Sequence, residues 1–108
     1  MLVQTEKMNM LLDFYDVLLT DKQKEIMNEY FREDLSLNEI AENRSISKAA
    51  VYDLIKRCEK ILNLYEDKLH LVRKYKKRNI IYQDMLKYNS HEINDLVKKC
   101  IDIETMED

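Results

Sequence analysis

Three observations predict an all-α protein, a helix-turn-helix with a long last helix and a C-terminal helical extension. The 108 residues contain neither glycine nor proline, where an average chain of that length carries roughly seven and five. Apolar residues recur at spacings of three and four, the period of one helix face. Three Ser or Thr positions stand where helix N-caps belong. A chain without glycine lacks the tight turns on which hairpins and sheets rely, so helices are the remaining choice.

The first helix is predicted from about Glu6 to Leu19, with Leu11, Leu12, Tyr15, Leu18 and Leu19 in one stripe widened by Met8 and Phe14. Thr20-Asp21-Lys22-Gln23 is a capping box that opens a second helix, which carries Ile26, Met27, Tyr30 and Phe31 inward and ends near Arg32-Glu33-Asp34. Ser36-Leu37-Asn38-Glu39 repeats the box and opens a short third helix ending near Asn43, with Leu37, Ile40 and Ala41 on its inner face. Asn43-Arg44-Ser45 supplies the next turn, asparagine tolerating left-handed backbone better than most residues. Ser47 caps a helix that meets no sequence breaker until about Asn79. Its apolar positions are Val51, Leu54, Ile55, Cys58, Ile61, Leu62, Tyr65, Leu69, Val72 and Tyr75, spaced as in a packed seam. Ile80, Ile81, Met85 and Leu86 suggest a short helix, Asn89-Ser90 interrupts, and Ile93, Leu96, Val97, Cys100 and Ile101 define a last one before an acidic tail, Glu104–Asp108. The expected organisation is a wingless helix-turn-helix domain over residues 1–79 and an extension over 80–108 packed on the same core.

The segment Ser36 to Lys56 meets the requirement of a helix-turn-helix, two helices crossing steeply over a three-residue turn. Ala41 is small where the second helix passes close, while Ile40, Ile46, Val51 and Leu54 fill the wedge. Ser45 stands where glycine is usual, because this turn wants a positive φ.

Composition excludes much chemistry. A Walker phosphate loop, a dinucleotide fingerprint and a nucleophile elbow all need glycine, so none is present. Cys58, Cys100, His70 and His91 show no zinc-site spacing, and no Cys-His, Ser-His or paired-carboxylate arrangement is visible. No metal, no cofactor and no catalysis are therefore expected, and both cysteines read as reduced. No apolar run reaches the roughly 18 residues of a membrane span. Met1 to Glu6 shows no basic leader followed by an apolar stretch, so a cytoplasmic address is expected.

Net charge is -3 but unevenly spread. Residues 1–47 carry five basic and ten acidic side chains, residues 48–79 ten and four, and residues 80–108 three and seven. A basic band thus crosses an acidic chain, either as a solvated helix face or as a polyanion site.

Thr20 through Lys56 resembles the DNA-contacting C-terminal region of bacterial sigma factors, called region 4. A nearer resemblance, over roughly residues 6–78, is to the YlxM family of small helix-turn-helix proteins. It is carried by Met8-Asn9, Asp13-Phe14-Tyr15, Leu18-Leu19-Thr20, Lys22-Gln23, Leu35-Ser36-Leu37, Glu39-Ile40-Ala41-Glu42, Ala50-Val51-Tyr52-Asp53, Ile55-Lys56-Arg57, Tyr65-Glu66 and Lys68-Leu69. The family shows Ser-Arg-Gln-Ala-Val-Tyr-Asp where this chain has Ser47-Lys48-Ala49-Ala50-Val51-Tyr52-Asp53, which removes a base contact at the third position. The resemblance implies a sigma-region-4-like fold and a regulatory or accessory role in the signal recognition particle pathway, whose RNA or GTPase would be the partner.

Two surfaces are candidates for nucleic acid. Ser47, Lys48, Tyr52 and Lys56, with Arg57 beside them, face a duplex from the recognition helix, the geometry of a sequence-specific DNA-binding regulator. Ala49 has nothing to donate there, Asp53 repels phosphate, and Tyr52 serves either as phosphate donor or as half-buried packing. The second surface is Arg73, Lys74, Lys76, Lys77 and Arg78, crowded with Lys68 toward the end of the long helix around Tyr75, which could stack on a base. A helix dipole welcomes cations at that end, so a structural role competes. Apolar residues that run on through Tyr65, Leu69, Val72 and Tyr75, with the last helix, point to a homodimer.

Overall fold

The computed structural model describes residues 2–106; Met1, which opens the segment read for a leader, and Glu107 and Asp108, which close the acidic tail, lie outside them. The described residues form α1 (Leu2–Tyr15), a 3-10 turn (Asp16–Leu18), α2 (Asp21–Phe31), α3 (Leu37–Arg44), α4 (Lys48–Leu69), α5 (Leu71–Leu86) and α6 (His91–Glu104), with no strand among them. The all-α expectation and the helix-turn-helix, α3 and α4, hold.

The helices start where their caps place them. Thr20 Oγ1 accepts from the Gln23 amide at 3.2 Å while Gln23 Oε1 accepts from the Thr20 amide at 2.9 Å, and Ser36 and Glu39 repeat the exchange at 3.1 and 3.0 Å. Ser47 Oγ accepts the Ala50 amide at 3.0 Å, and Ser90 Oγ accepts that of Ile93 at 3.4 Å. Each cap satisfies amide groups that a helix start leaves without an intrahelical partner.

The corners show how a chain without glycine turns. Asp34, Ser45, His70 and Asn89 take φ of 57°, 55°, 58° and 56°. Asn, Asp and His are the non-glycine types that enter this region most readily, whereas serine enters at a cost of roughly 1–2 kcal/mol. The positive φ after α3 falls at Ser45, the position where glycine is usual, as the turn requires.

His70 overturns one expectation. The helix predicted to run from Ser47 to Asn79 ends at Leu69. The His70 amide still bonds Glu66 O at 2.8 Å, but its left-handed backbone redirects the chain, and α5 begins at Leu71. A histidine corner leaves no trace in hydrophobic period, and neither glycine nor proline marks it. At this corner the chain divides into two compact units, Met1–His70 and Leu71–Asp108.

In the first unit α4 is the central wall. Met8, Leu11, Leu12 and Tyr15 of α1, Ile26, Met27 and Phe31 of α2, and Ile40 and Ala41 of α3 are buried together with Val51, Ile55, Cys58 and Leu62 of α4. The buried Tyr15 hydroxyl donates to Glu66 Oε1 at 2.7 Å, and its ring stacks on Tyr65 with centroids 6.2 Å apart. That contact takes up Tyr65 of the apolar line that runs on past the helix-turn-helix, while Leu69 remains half-exposed. In the second unit α5 and α6 form a hairpin over a short link, closed where Arg78 Nε donates to Glu104 Oε2 at 2.7 Å. No helix of the described residues is long and apolar enough to cross a membrane.

Two strained corners give a stability test. Ser45→Gly and His70→Gly should each raise the unfolding free energy by about 1 kcal/mol, because glycine relieves the left-handed strain and returns only part as unfolded-chain entropy. Urea denaturation at neutral pH measures it, and a loss of stability would mean that the replaced side chains themselves hold the corners.

Candidate nucleic-acid interface

The interface is built on the α3–α4 corner. The Ser45 amide donates to Glu42 O at 3.3 Å and the Ile46 amide to Ala41 O at 3.1 Å, the paired bonds of a Schellman closure. The wedge beneath is dry at its centre, since Ile40 and Val51 expose no surface, while Ile46 and Leu54 are half-buried.

Arg44, the last residue of α3, locks this corner to α2. Its Nε and Nη2 donate to the two carboxylate oxygens of Glu29 at 3.1 and 2.8 Å, and Nη1 donates to Glu25 Oε2 at 3.1 Å. The fork matches guanidinium to carboxylate geometry, and the hydrogen bond to Glu29 above all holds the arginine's pKa higher still. Sequence reading placed Arg44 only in the turn, because the partners lie fifteen and nineteen residues back.

Held this way, the first turns of α4 present an outer face. Lys48, Tyr52 and Lys56 follow one another at every fourth residue and are exposed, as are Ser47, Ala49, Asp53 and Arg57. Ser47 spends its oxygen lone pair on the Ala50 amide and keeps its own proton to donate. Lys56 Nζ sits 5.5 Å from the Tyr52 ring centroid and 3.5 Å from a Glu59 carboxylate oxygen. Exposed pairs of this kind are worth at most about 1 kcal/mol, so Glu59 would be a weak competitor to an anionic ligand for Lys56. Tyr52, about half-exposed, lies under that lysine. Lys60, exposed one turn beyond Lys56 and beside Arg57, extends the face. The sequence signal for it was its spacing of four and three from those two residues.

The second predicted group is placed differently. Arg73, Lys74, Lys76 and Lys77 are exposed on α5, but the His70 corner puts them on a separate helix from the recognition face. They occupy the first half of α5, whose first turn carries no acidic residue. The dipole therefore opposes Arg73 and Lys74 in that first turn instead of welcoming them, and helix-end stabilisation does not explain these two. Arg78 is half-buried and bound to Glu104, so its role is to close the hairpin.

The remaining reactive side chains are apart. Cys58 is buried, and desolvation pushes its thiol pKa up to about 11, whereas Cys100 is exposed on α6. His70 forms a corner, and His91 Nε2 lies 3.4 Å from Asp95 on the surface of α6. Among the described residues no three His, Cys, Asp or Glu side chains gather as metal ligands would.

Two variants test the support of the face. Arg44→Ala should lower stability by about 1–2 kcal/mol, and Arg44→Lys should recover less than half of it, because lysine cannot span both oxygens of Glu29. In the cap of α3, the Ser36 amide and then its hydroxyl hold the Glu39 carboxyl below its ordinary value of 4.5. A depressed carboxyl stabilises the fold above that ordinary value and loses the contribution as pH falls through its folded value. Glu39→Gln should thus trail the wild type at neutral pH and converge on it at pH near 3, as followed by denaturation at both pH values.

A family model described as "Putative helix-turn-helix protein, YlxM / p13 like" matches residues 2–103, well past the stretch in which the resemblance was read and through most of α6. A UPF0122 protein of Bacillus thuringiensis (strain Al Hakam) is 44% identical over 104 residues, 94% of each chain. One from Lactococcus lactis subsp. cremoris (strain MG1363) is 50% identical over 84 residues, 78% of this chain and 76% of that one. One from Streptococcus pyogenes serotype M5 (strain Manfredo) is 47% identical over 89 residues, 82% and 79% of the two chains. The corner, the caps and the outer face of α4 are thus those of a member of the YlxM/p13-like helix-turn-helix family, UPF0122, to which this chain belongs.

Proposed function

We propose that the protein is a cytoplasmic, non-enzymatic regulatory protein that binds duplex nucleic acid through the first turns of α4. The observation that carries this is the row Lys48, Lys56, Arg57 and Lys60, exposed on a helix whose direction is fixed by the Ser45 corner and the Arg44 fork. Nothing on that row reads guanine or adenine as a bidentate arginine or glutamine would from the first turn, so phosphate contacts supply most of the affinity and selectivity is weak. Ser47 and Tyr52 add neutral donors at the same edge.

A second reading takes the family's association with the signal recognition particle pathway at face value, with that particle's RNA, or its GTPase, as the partner. The observation in its favour is the exposed group Arg73, Lys74, Lys76 and Lys77, the first two of them in the turn where the dipole disfavours cations. Pairing of two chains belongs with the first reading, since duplex half-sites call for two recognition helices.

Titrations of random duplex DNA and of signal recognition particle RNA, each at two salt concentrations, separate these readings. Lys48→Ala with Lys56→Ala and Lys60→Ala should weaken duplex binding at least tenfold and reduce its salt slope by roughly 2–3, the worth of three phosphate contacts. Gln at positions 73, 74, 76 and 77 should act chiefly on RNA. Unchanged duplex affinity in the α4 variant would remove the recognition helix from the interface, and unchanged RNA affinity in the other would make the α5 cluster a solvated surface.

A further inference from the structure

We infer that one face of the α5–α6 hairpin is the interface with a second copy of this chain. The inference locates the pairing named with the first reading, but it does not depend on nucleic-acid contact.

The face follows from helical register. On α6 the line turned inward is Asn94, Val97, Ile101 and Glu104, buried or half-buried. One residue before each lies a second line, Ile93, Leu96, Cys100 and Ile103, all exposed. On α5 the inner line is Tyr75, Asn79, Tyr82 and Leu86, all half-buried, and the line one residue before it runs Lys74, Arg78, Ile81 and Met85, apolar and exposed over its last two positions. Positions offset the same way from the inner line lie on the same hand of each helix. The short link and the Arg78–Glu104 ion pair make α5 and α6 antiparallel, and in an antiparallel pair the same hand falls on one side of the hairpin. Ile81, Met85, Ile93, Leu96, Cys100 and Ile103 therefore form one apolar face.

Its size calls for an occupant. Ile81 is 57% exposed, Leu96 60% and Ile103 63%, with Met85 and Ile93 at 38% and 37%. Together the six side chains expose on the order of 500 Å², beyond what scattered surface residues of a monomer account for. With a polar rim, the face approaches the ~800 Å² per partner of a standard stable interface. Val72 and Val97 are the buried apolar residues of this two-helix unit among those described, so it holds little core of its own. A second hairpin would complete a four-helix bundle.

The occupant is a second copy because the α6 line is complementary to itself. Its spacing of three, four and three reads the same from either end. Two such lines laid antiparallel about a two-fold axis set Ile93 opposite Ile103 and Leu96 opposite Cys100, so the large residue meets the small one. No charge interrupts the line. An interface of this kind closes on itself, as a symmetric pair requires.

The two cysteines supply the measurement. Cys58 is buried with its thiol pKa near 11, so Cys100 alone should react with a maleimide in the folded protein. Sedimentation of the full chain at micromolar concentration should give twice the 13.1 kDa of one chain. The labelling rate of Cys100 should fall several-fold as concentration rises through the dimer range. Leu96→Asp with Ile103→Asp should sediment as a monomer with unchanged helical circular dichroism and label Cys100 fast at every concentration. A wild-type monomer whose Cys100 labels at a concentration-independent rate would overturn the inference, as would a double variant that stays dimeric. Lys48→Ala with Lys56→Ala should leave mass and labelling untouched, so failure of the nucleic-acid reading and failure of this one are separate results.

Discussion

The outer face of α4 depends on a corner three residues long. Between Arg44 and Lys48 the chain must reverse a helix end, enter left-handed backbone and cap a new helix, all without glycine. Ser45 takes φ of 55° at a cost of roughly 1–2 kcal/mol. Three contributions offset it: the Schellman bonds onto Ala41 and Glu42, the dry Ile40–Val51 wedge, and the Arg44 fork onto Glu29. Each depends on the others. The fork needs α3 to stop at Arg44, the wedge needs α4 to leave at the angle the corner sets, and the corner survives only while both hold. The direction in which Lys48, Tyr52 and Lys56 project is thus a tertiary property, although the residues adjoin in sequence.

This interdependence explains what was and was not legible in the sequence. The N-caps at Thr20, Ser36 and Ser47 were readable because a cap is a local exchange over three residues. The apolar lines of α1, α2 and α4 were readable because period survives without knowledge of the partner. The His70 corner was not, since histidine belongs to a helix or a left-handed turn by tertiary choice and the period ran on past it. Of the candidate site, the face of α4 was legible down to Lys56 and Arg57. The second candidate surface, Arg73 to Arg78, was expected at the end of a continuous helix, and the break at His70 sets it in the first half of α5 instead. Arg44 escaped notice because its partners are set by the packing of α3 on α2, which a one-dimensional pattern does not contain.

The same break changes what the charges mean. On one unbroken helix the basic run from Lys68 to Arg78 would have sat at the negative end of the dipole, and stability would have sufficed to explain it. With α5 starting at Leu71, Arg73 and Lys74 lie in the first turn, where the dipole opposes them, Lys76 and Lys77 lie beyond its reach, and Arg78 is drawn to Glu104. Charge placed against the local field needs an explanation outside the helix that carries it, and an anionic partner is one.

Net charge adds a constraint on how any polyanion approaches. Residues 1–47 hold ten acidic side chains against five basic ones, and α1 and α2 lie in that stretch. Only five of the ten, Glu6, Asp13, Asp21, Glu25 and Glu29, lie on α1 and α2, against Lys7, Lys22 and Lys24, so at low ionic strength these helices set up a weak negative field that disfavours phosphate over about 30 Å. The outer face of α4 has Lys48, Lys56, Arg57 and Lys60 against Asp53, with Glu59 half-buried beneath Lys56. On the proposed reading, this contrast in charge would add to the lysines in turning an incoming duplex toward α4. Added salt acts on both effects in the same direction, weakening the attraction and relaxing the orientation. On that same reading, with so few base-reading side chains, the choice of one docking pose would come from that field, and the few polar groups at the N-terminus of α4 would refine it.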